Sequence, residues 1–227
     1  MPVEKAIFSK EIFKFFKDLK RNNKKVWMDA NRERYQETVC KPFRRLLEEL
    51  SPEVLKLDPR FDAMGRRGAN FSRINRDIRF AKDKTPYRAQ MYLKLSVPLP
   101  GEMTGAGELY TGMSADTVTA GFRVYSGAKR KGSAIAMIAQ PRLERNRKFL
   151  VQQKRRLGKK YDSYWYSVSK GEWKQIGGWP SAADWAKLQG WIVRKKLTPK
   201  LATRAVFPAE LAKIFRELYP LIKFLSN

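Results

Sequence analysis

Asn70-Phe-Ser-Arg-Ile-Asn-Arg-Asp-Ile-Arg-Phe-Ala-Lys-Asp-Lys-Thr-Pro-Tyr-Arg88 is where the hydrophobic period of this chain changes. Before it, apolar residues recur every three or four positions; from Asn70 onward they alternate, the period of a strand. Read as a strand over 71–80, the stretch sends Arg73, Asn75, Asp77 and Arg79 to one face and Ile74, Arg76, Ile78 and Phe80 to the other. The second face reads as buried. Arg76 would then sit among apolar neighbours, where a guanidinium needs a carboxylate or a bound anion. On the polar face Asp77 lies between two arginines and could orient both. Lys82-Asp-Lys-Thr-Pro-Tyr87 reads as a turn, with Thr85 held extended by Pro86.

Working outward, Ser9 suits a helix N-cap ahead of Ile12, Phe13, Phe15, Phe16 and Leu19, and Asn22-Asn23 ends that helix. A second helix is expected over 25–40, with Trp27, Tyr35 and Val39 on one stripe. Pro42 fits the first turn of a third helix carrying Phe43, Leu46, Leu47 and Leu50, and Ser51-Pro52 starts a further short turn. These aromatic stripes read as core. Downstream, strands are expected over 91–97, 108–113 and 117–125, with an exposed Gly/Pro-rich loop over 98–107. The chain then turns helical and basic to about Leu157. Short strands follow at 163–169 and 173–176, a helix near 182–188, a strand at 191–196 and a last helix at 209–225. The expected fold is α+β, one domain over 1–227, with a mainly antiparallel or mixed sheet packed by N-terminal, middle and C-terminal helices.

Composition narrows the chemistry. Forty-eight basic against 22 acidic residues give a formal charge of +26, which favours contact with polyanions through counterion release. There is no histidine, which removes Ser-His and Cys-His nucleophiles and HExxH zinc sites. With the single cysteine Cys40, a structural zinc site and a disulfide framework are excluded too, and a reducing, cytoplasmic setting is expected. No apolar run reaches the roughly 20 residues of a membrane span, and no apolar signal region opens the chain, so no membrane partner is expected.

Two groups of candidate binding residues follow. Arg73, Arg76, Arg79, Lys82, Lys84, Tyr87 and Arg88 suit bidentate capture of phosphate or carboxylate oxygens, with Asp77 or Asp83 as a candidate catalytic base. The competing reading is that these arginines close salt bridges to packed acids. The second group lies in 129–160, where twelve Lys and Arg face one acid, Glu144. There Arg142, Arg145, Arg147, Lys148, Lys154, Arg155, Arg156, Lys159 and Lys160 could track a nucleic-acid backbone. Tyr161, Tyr164, Trp165 and Tyr166 follow directly and either stack bases or pack in the core. No sequence-reading motif is present, so the expected partner is nucleic acid or another polyanion, bound without sequence specificity. An enzyme acting on a phosphorylated or anionic substrate through Arg73, Asp77 and Arg79 is the alternative, and a ribonucleoprotein scaffold is a third. No cofactor is expected. A divalent metal stays open, since Asp162 with Glu172-Trp-Lys174 has the spacing of many nuclease sites.

The 71–88 string is also similar to the signature of the domain-of-unknown-function family 2461: arginine, any two, arginine-aspartate, any, arginine-phenylalanine, any, lysine-aspartate-lysine, any, proline-tyrosine. Phe8, Asn22-Asn23 with Trp27, Pro42-Phe43, Gly171-Glu172, the strand near Trp191 and Leu218-Tyr-Pro-Leu-Ile-Lys-Phe-Leu225 extend the resemblance over nearly the whole chain. It implies one α+β domain and brings no established activity, substrate or cofactor. The chain departs from the family at Gln175-Ile-Gly-Gly-Trp-Pro-Ser181, where the family has a Pro-Arg-Gly-type loop and a downstream histidine-proline, and it is more basic than its relatives.

Overall fold

Apolar residues at helical spacing in the N-terminal third, and alternating ones later, sort the chain into helices and a sheet. The computed structural model describes residues 5–98, 106–126, 134–169 and 172–226. Strands β1 (Gln90–Pro98), β2 (Ala106–Ser114), β3 (Val118–Tyr125), β4 (Asp162–Ser169), β5 (Glu172–Gly177) and β6 (Leu188–Leu197) form one sheet in the order β1-β2-β3-β6-β4-β5. The sheet is antiparallel, and with its helices the architecture is α+β. Contacts divide the chain into two units: Met1–Leu95, Tyr110–Ala120 and Lys196–Ile214 in one, Ser96–Leu109, Gly121–Lys195 and Phe215–Asn227 in the other. The loop expected over 98–107 and the basic residues Lys129, Arg130 and Lys131 lie largely outside the described residues.

In the first unit, helix α1 (Glu11–Arg21) buries Ile12, Phe15, Phe16 and Leu19; its N-cap position falls on Lys10, one residue after the expected Ser9, whose Oγ accepts from Glu11 N–H at 3.2 Å. The helix expected over 25–40 is broken. It becomes α2 (Lys25–Ala30), then α3 (Arg32–Tyr35), which runs through a π turn, Gln36–Cys40, into α4 (Lys41–Leu57). Asn31 causes the break: its side-chain amide donates to Trp27 O at 2.9 Å, competing with the helical ladder. Pro42 accounts for the π turn, because its ring lacks an N–H and would clash with the carbonyl four residues back. Pro52 starts no new turn, since α4 continues through it to Leu57 with Phe43, Leu46, Leu47, Leu50 and Val54 inward. Phe8 packs edge-on against Phe43 at 5.2 Å, and Phe15 stacks on Tyr35 at 5.7 Å.

The segment 71–80 is not a strand. It makes isolated bridges only, Phe71 to Arg67 and Leu93, and Asn75 to Tyr87. Phe71 and Ile74 are buried, three positions apart, while Phe80 is 95% exposed beneath the Arg79 guanidinium. Arg76 N–H to Pro86 O and Arg88 N–H to Ile74 O make the Asn75–Tyr87 bridge, and the ladder goes no further because Arg79 N–H donates to the Asp77 carboxylate and Ala81 N–H to Ile78 O.

In the second unit, β4 puts Trp165 into the core beside Trp191 of β6, its cross-strand partner. Trp191 meets Phe122, Trp179 and Trp185 edge-on at 5.4–5.5 Å, and its Nε1–H donates to Ser163 Oγ at 3.0 Å. The helix expected near 182–188 is a 3-10 turn, Ala182–Lys187, started by a capping box between Ser181 and Asp184. Helices α5 (Ala134–Arg145) and α6 (Phe149–Leu157) precede β4, and Phe149 stacks on Phe224 at 4.1 Å. The short α7 (Pro199–Ala202) leads to α8 (Phe207–Ser226), which carries Phe224.

Candidate anion-binding cavity

Arg32, Gln36, Cys40 and Arg44 recur at four-residue spacing along α3, the π turn and α4, and all four line one cavity of about 590 Å³. In an α-helix each four-residue step drifts by about 40°; the wider π turn takes back part of that drift and keeps the stripe facing one way. The opposite wall comes from Gly65, Arg67, Phe71, Ser72, Arg73, Ile74 and Asn75, with Met91 of β1 below. Arginines thus enter from two separate stretches of chain.

Asn70 holds the second stretch in place. It is fully buried, its Oδ1 accepts from Arg66 N–H at 3.0 Å, and its Nδ2 donates to Asp62 O at 2.6 Å and to Lys94 O at 3.2 Å. Lys94 Nζ donates to Gly68 O at 2.9 Å, closing the same loop onto β1. Gly68 has φ +89°, a conformation side chains rarely adopt, and a Cβ there would meet Arg73 Nε at 3.4 Å. The glycine lets the Arg73 guanidinium lie along the loop.

The electrostatics of the cavity are one-sided. Arg32 is held by Asp29 at 2.9 Å, whereas Arg44, Arg67 and Arg73 have no carboxylate partner among the described residues. No Asp or Glu lines the cavity. Burial pushes the Tyr35 phenol and the Cys40 thiol up from their ordinary values. Both are therefore neutral near pH 7, and Cys40 is not held as a nucleophilic thiolate.

Of the residues expected from the sequence, only Arg73 faces this cavity. Arg76, Asp83, Tyr87 and Arg88 line a second cavity of about 350 Å³ together with Lys20 and Asp116, so that two carboxylates face its three cations. There Arg76 donates to Asp83, to the Thr85 hydroxyl and to Thr85 O, the internal pairing that competed with an anion site. Asp83 is pulled down to about 2, first by the Thr85 N–H and then by Arg76. Tyr87 is buried, its N–H donating to Asn23 Oδ1 and its carbonyl accepting from Asn23 Nδ2. Asp77 and Arg79 form an exposed bidentate pair at 2.7 and 3.0 Å, outside both cavities, with Arg79 drawing Asp77 below its ordinary value. Lys84 Nζ donates to Ile78 O at 3.0 Å, and Lys82 is exposed.

With the 71–88 signature placed, its wider match can be read: residues 11–224 match the family described as Conserved hypothetical protein (DUF2461). The chain belongs to this family. No curated protein and no solved structure matches it. In this DUF2461 chain the signature residues build the second cavity and the wall carrying Arg73, while Arg32, Arg44 and Arg67 come from outside the signature. The four-residue polar stripe from Arg32 to Arg44, and the paired glycines around Arg66-Arg67, were the sequence signals for them. The 175–181 stretch serves the core: Trp179 packs on Trp191, and Gly178 turns at φ +94° with its N–H on Ser163 O.

The basic run divides into structural and free cations. Arg142 donates to Phe224 O at 2.7 Å, Arg156 to Glu217 O at 2.7 Å, and Lys160 pairs with Glu217. Arg145, Arg147, Lys148, Lys154, Arg155 and Lys159 are exposed without a carboxylate partner among the described residues. Tyr161 and Trp165 are buried. Asp162 pairs in register with Arg194 and Glu172 with Ser169, at opposite ends of β4, roughly 23 Å apart along a strand. The nuclease-like spacing therefore does not converge, and no group of three metal-ligating side chains occurs among the described residues.

Proposed function

We propose that this DUF2461 protein binds a phosphate-bearing anion in the arginine-lined cavity and holds it without transforming it. The observation that carries this is the set of three unpartnered guanidinium groups, with a fourth, around a cavity that contains no carboxylate. Unpaired cations repel one another, and a phosphate bridging them relieves that repulsion with bidentate hydrogen bonds. A volume of about 590 Å³ suits a small organic ligand, whose apolar part would lie on Phe71, Ile74 and Met91. Binding is favoured over catalysis because the cavity holds no carboxylate or histidine, and burial keeps its phenol and thiol in their neutral forms. Asp83, drawn down to about 2, is too weak a base, and Asp77 is engaged by Arg79.

The test is calorimetry with pyrophosphate and a panel of phosphate esters against the protein and its Arg44→Gln, Arg67→Gln and Arg73→Gln variants. Each variant should weaken binding ten- to a hundredfold, the loss of about 1.5–3 kcal/mol expected for a charged hydrogen bond. Arg79→Gln should leave binding unchanged. Equal losses from Arg79→Gln, or no binding of any panel member, would reject the reading. A second reading, contact with a nucleic-acid backbone along α5 and α6, is favoured by the six free cations there.

A further inference from the structure

We infer that the second unit carries a stacking platform for single-stranded nucleic acid on the sheet face opposite Trp191, centred on β4 and β5 with Tyr125 of β3 beside them. Strand alternation separates two faces of β4. Trp165 goes into the core, and Tyr164, Tyr166 and Val168 go to the opposite side. The helix-bearing side is the Trp191 side, where Trp185 packs on both Trp191 and Phe224. The basic helices and these tyrosines therefore occupy different faces, contrary to the adjacency their sequence order suggested.

On the open side four rings from three strands converge. Tyr166 lies 5.9 Å from Tyr164, 6.2 Å from Tyr125 and 5.8 Å from Trp173, and Tyr125 lies 6.5 Å from Trp173. Trp173 is 48% exposed, Val168 42% and Tyr125 37%, a concentration of uncovered apolar surface within one sheet face. Gly190 of β6 makes the cluster possible: a Cβ there would meet Tyr125 Cδ1 at 2.6 Å and Tyr166 Cδ2 at 3.3 Å. Any larger residue would lift the rings off the strand.

Charge selects the occupant. Arg194 lies over the Tyr164 ring at 4.9 Å, and its buried Nε has no hydrogen-bond partner. Although Asp162 is its cross-strand neighbour, no ion pair joins them among the described residues. The unit as a whole carries twenty Lys and Arg against seven Asp and Glu. Flat aromatic rings take the faces of bases, and a free guanidinium among them takes the phosphate between two bases, a combination suited to single strands and tolerant of sequence. A duplex hides its base faces and cannot use the rings. This site is independent of the arginine-lined cavity.

The experiment is fluorescence anisotropy of labelled twelve-nucleotide oligo(U) and oligo(dT), beside a duplex of equal length, with protein carrying Trp173→Leu, Trp173→Phe, Tyr166→Leu or Arg79→Gln. Trp173→Leu and Tyr166→Leu should each weaken single-strand binding about tenfold or more, the usual effect of losing one stacked base. Trp173→Phe should retain affinity while removing part of the tryptophan quenching seen on binding, and Arg79→Gln should change nothing. Duplex affinity should be unmoved by the ring variants. The inference is overturned if Trp173→Leu matches Trp173→Phe, if duplex and single strand lose equally, or if neither oligonucleotide binds near physiological salt.

Discussion

Asp83 shows how a single side chain sets the state of its neighbours. Its carboxylate accepts from Thr85 N–H at 2.9 Å and from the Thr85 hydroxyl at 3.0 Å, and it receives Arg76. Those donors favour the charged form and bring it to about 2, below the roughly 3.9 of an unfolded aspartate. A depressed folded value contributes stability above the unfolded value and loses it as pH falls through the folded one. The turn at 82–87 is therefore expected to loosen between about pH 4 and pH 2 while the α1–α4 core stays intact. Amide exchange of Thr85 and Arg76 across that window reads it, and Asp83→Asn should show the loosened turn already at pH 7. An unchanged exchange pattern in Asp83→Asn would show that the backbone alone makes the turn. Arg76 belongs to the same network, which is why its guanidinium is satisfied internally while Arg73, three residues away, has no carboxylate partner among the described residues.

At the scale of elements, the loop between α4 and β1 positions two of the cavity arginines through one buried amide. Asn70 uses its side chain at both ends and its backbone as well, with Lys94 N–H donating to Asn70 O at 2.7 Å. Asn70→Ala leaves several buried groups without partners and should cost about 2–3 kcal/mol in urea unfolding. The same variant should weaken cavity binding even though Asn70 does not line it, because Arg67 and Arg73 lose their fixed placement. A stability loss with full ligand affinity would mean that the loop is held by something else. The π turn works in the same way on the other wall, aligning Gln36 and Cys40 between Arg32 and Arg44.

For the whole molecule, the charge of +26 is shared evenly: the first unit has 28 basic and 15 acidic residues, the second 20 and seven. No helix among the described residues is long and apolar enough to cross a membrane. Such a charge makes any nucleic-acid affinity steeply salt-dependent. Replacing Lys154, Arg155 and Lys159 together by Gln should reduce the slope of log affinity against log salt by up to about three, on duplex and single strand alike. Titration at several salt concentrations measures this. A slope unchanged by the triple variant would remove the α5–α6 surface from consideration and leave the sheet face.

The sequence alone determined the helical and alternating segments, because periodicity reports which side of an element meets the core. It also determined the exclusion of histidine chemistry and the family, through a signature long enough to be specific. Tertiary structure decided what the 71–80 segment is. Its alternation mimics a strand, but beyond the Asn75–Tyr87 bridge local bonds, Arg79 N–H to the Asp77 carboxylate and Ala81 N–H to Ile78 O, end the pairing. It decided, too, which arginines share a cavity. Arg32 and Arg44 meet Arg67 and Arg73 only after the π turn and the Asn70 loop have formed. Charge and composition say how many cations a chain has, whereas which of them lack a partner depends on distances that only folding sets.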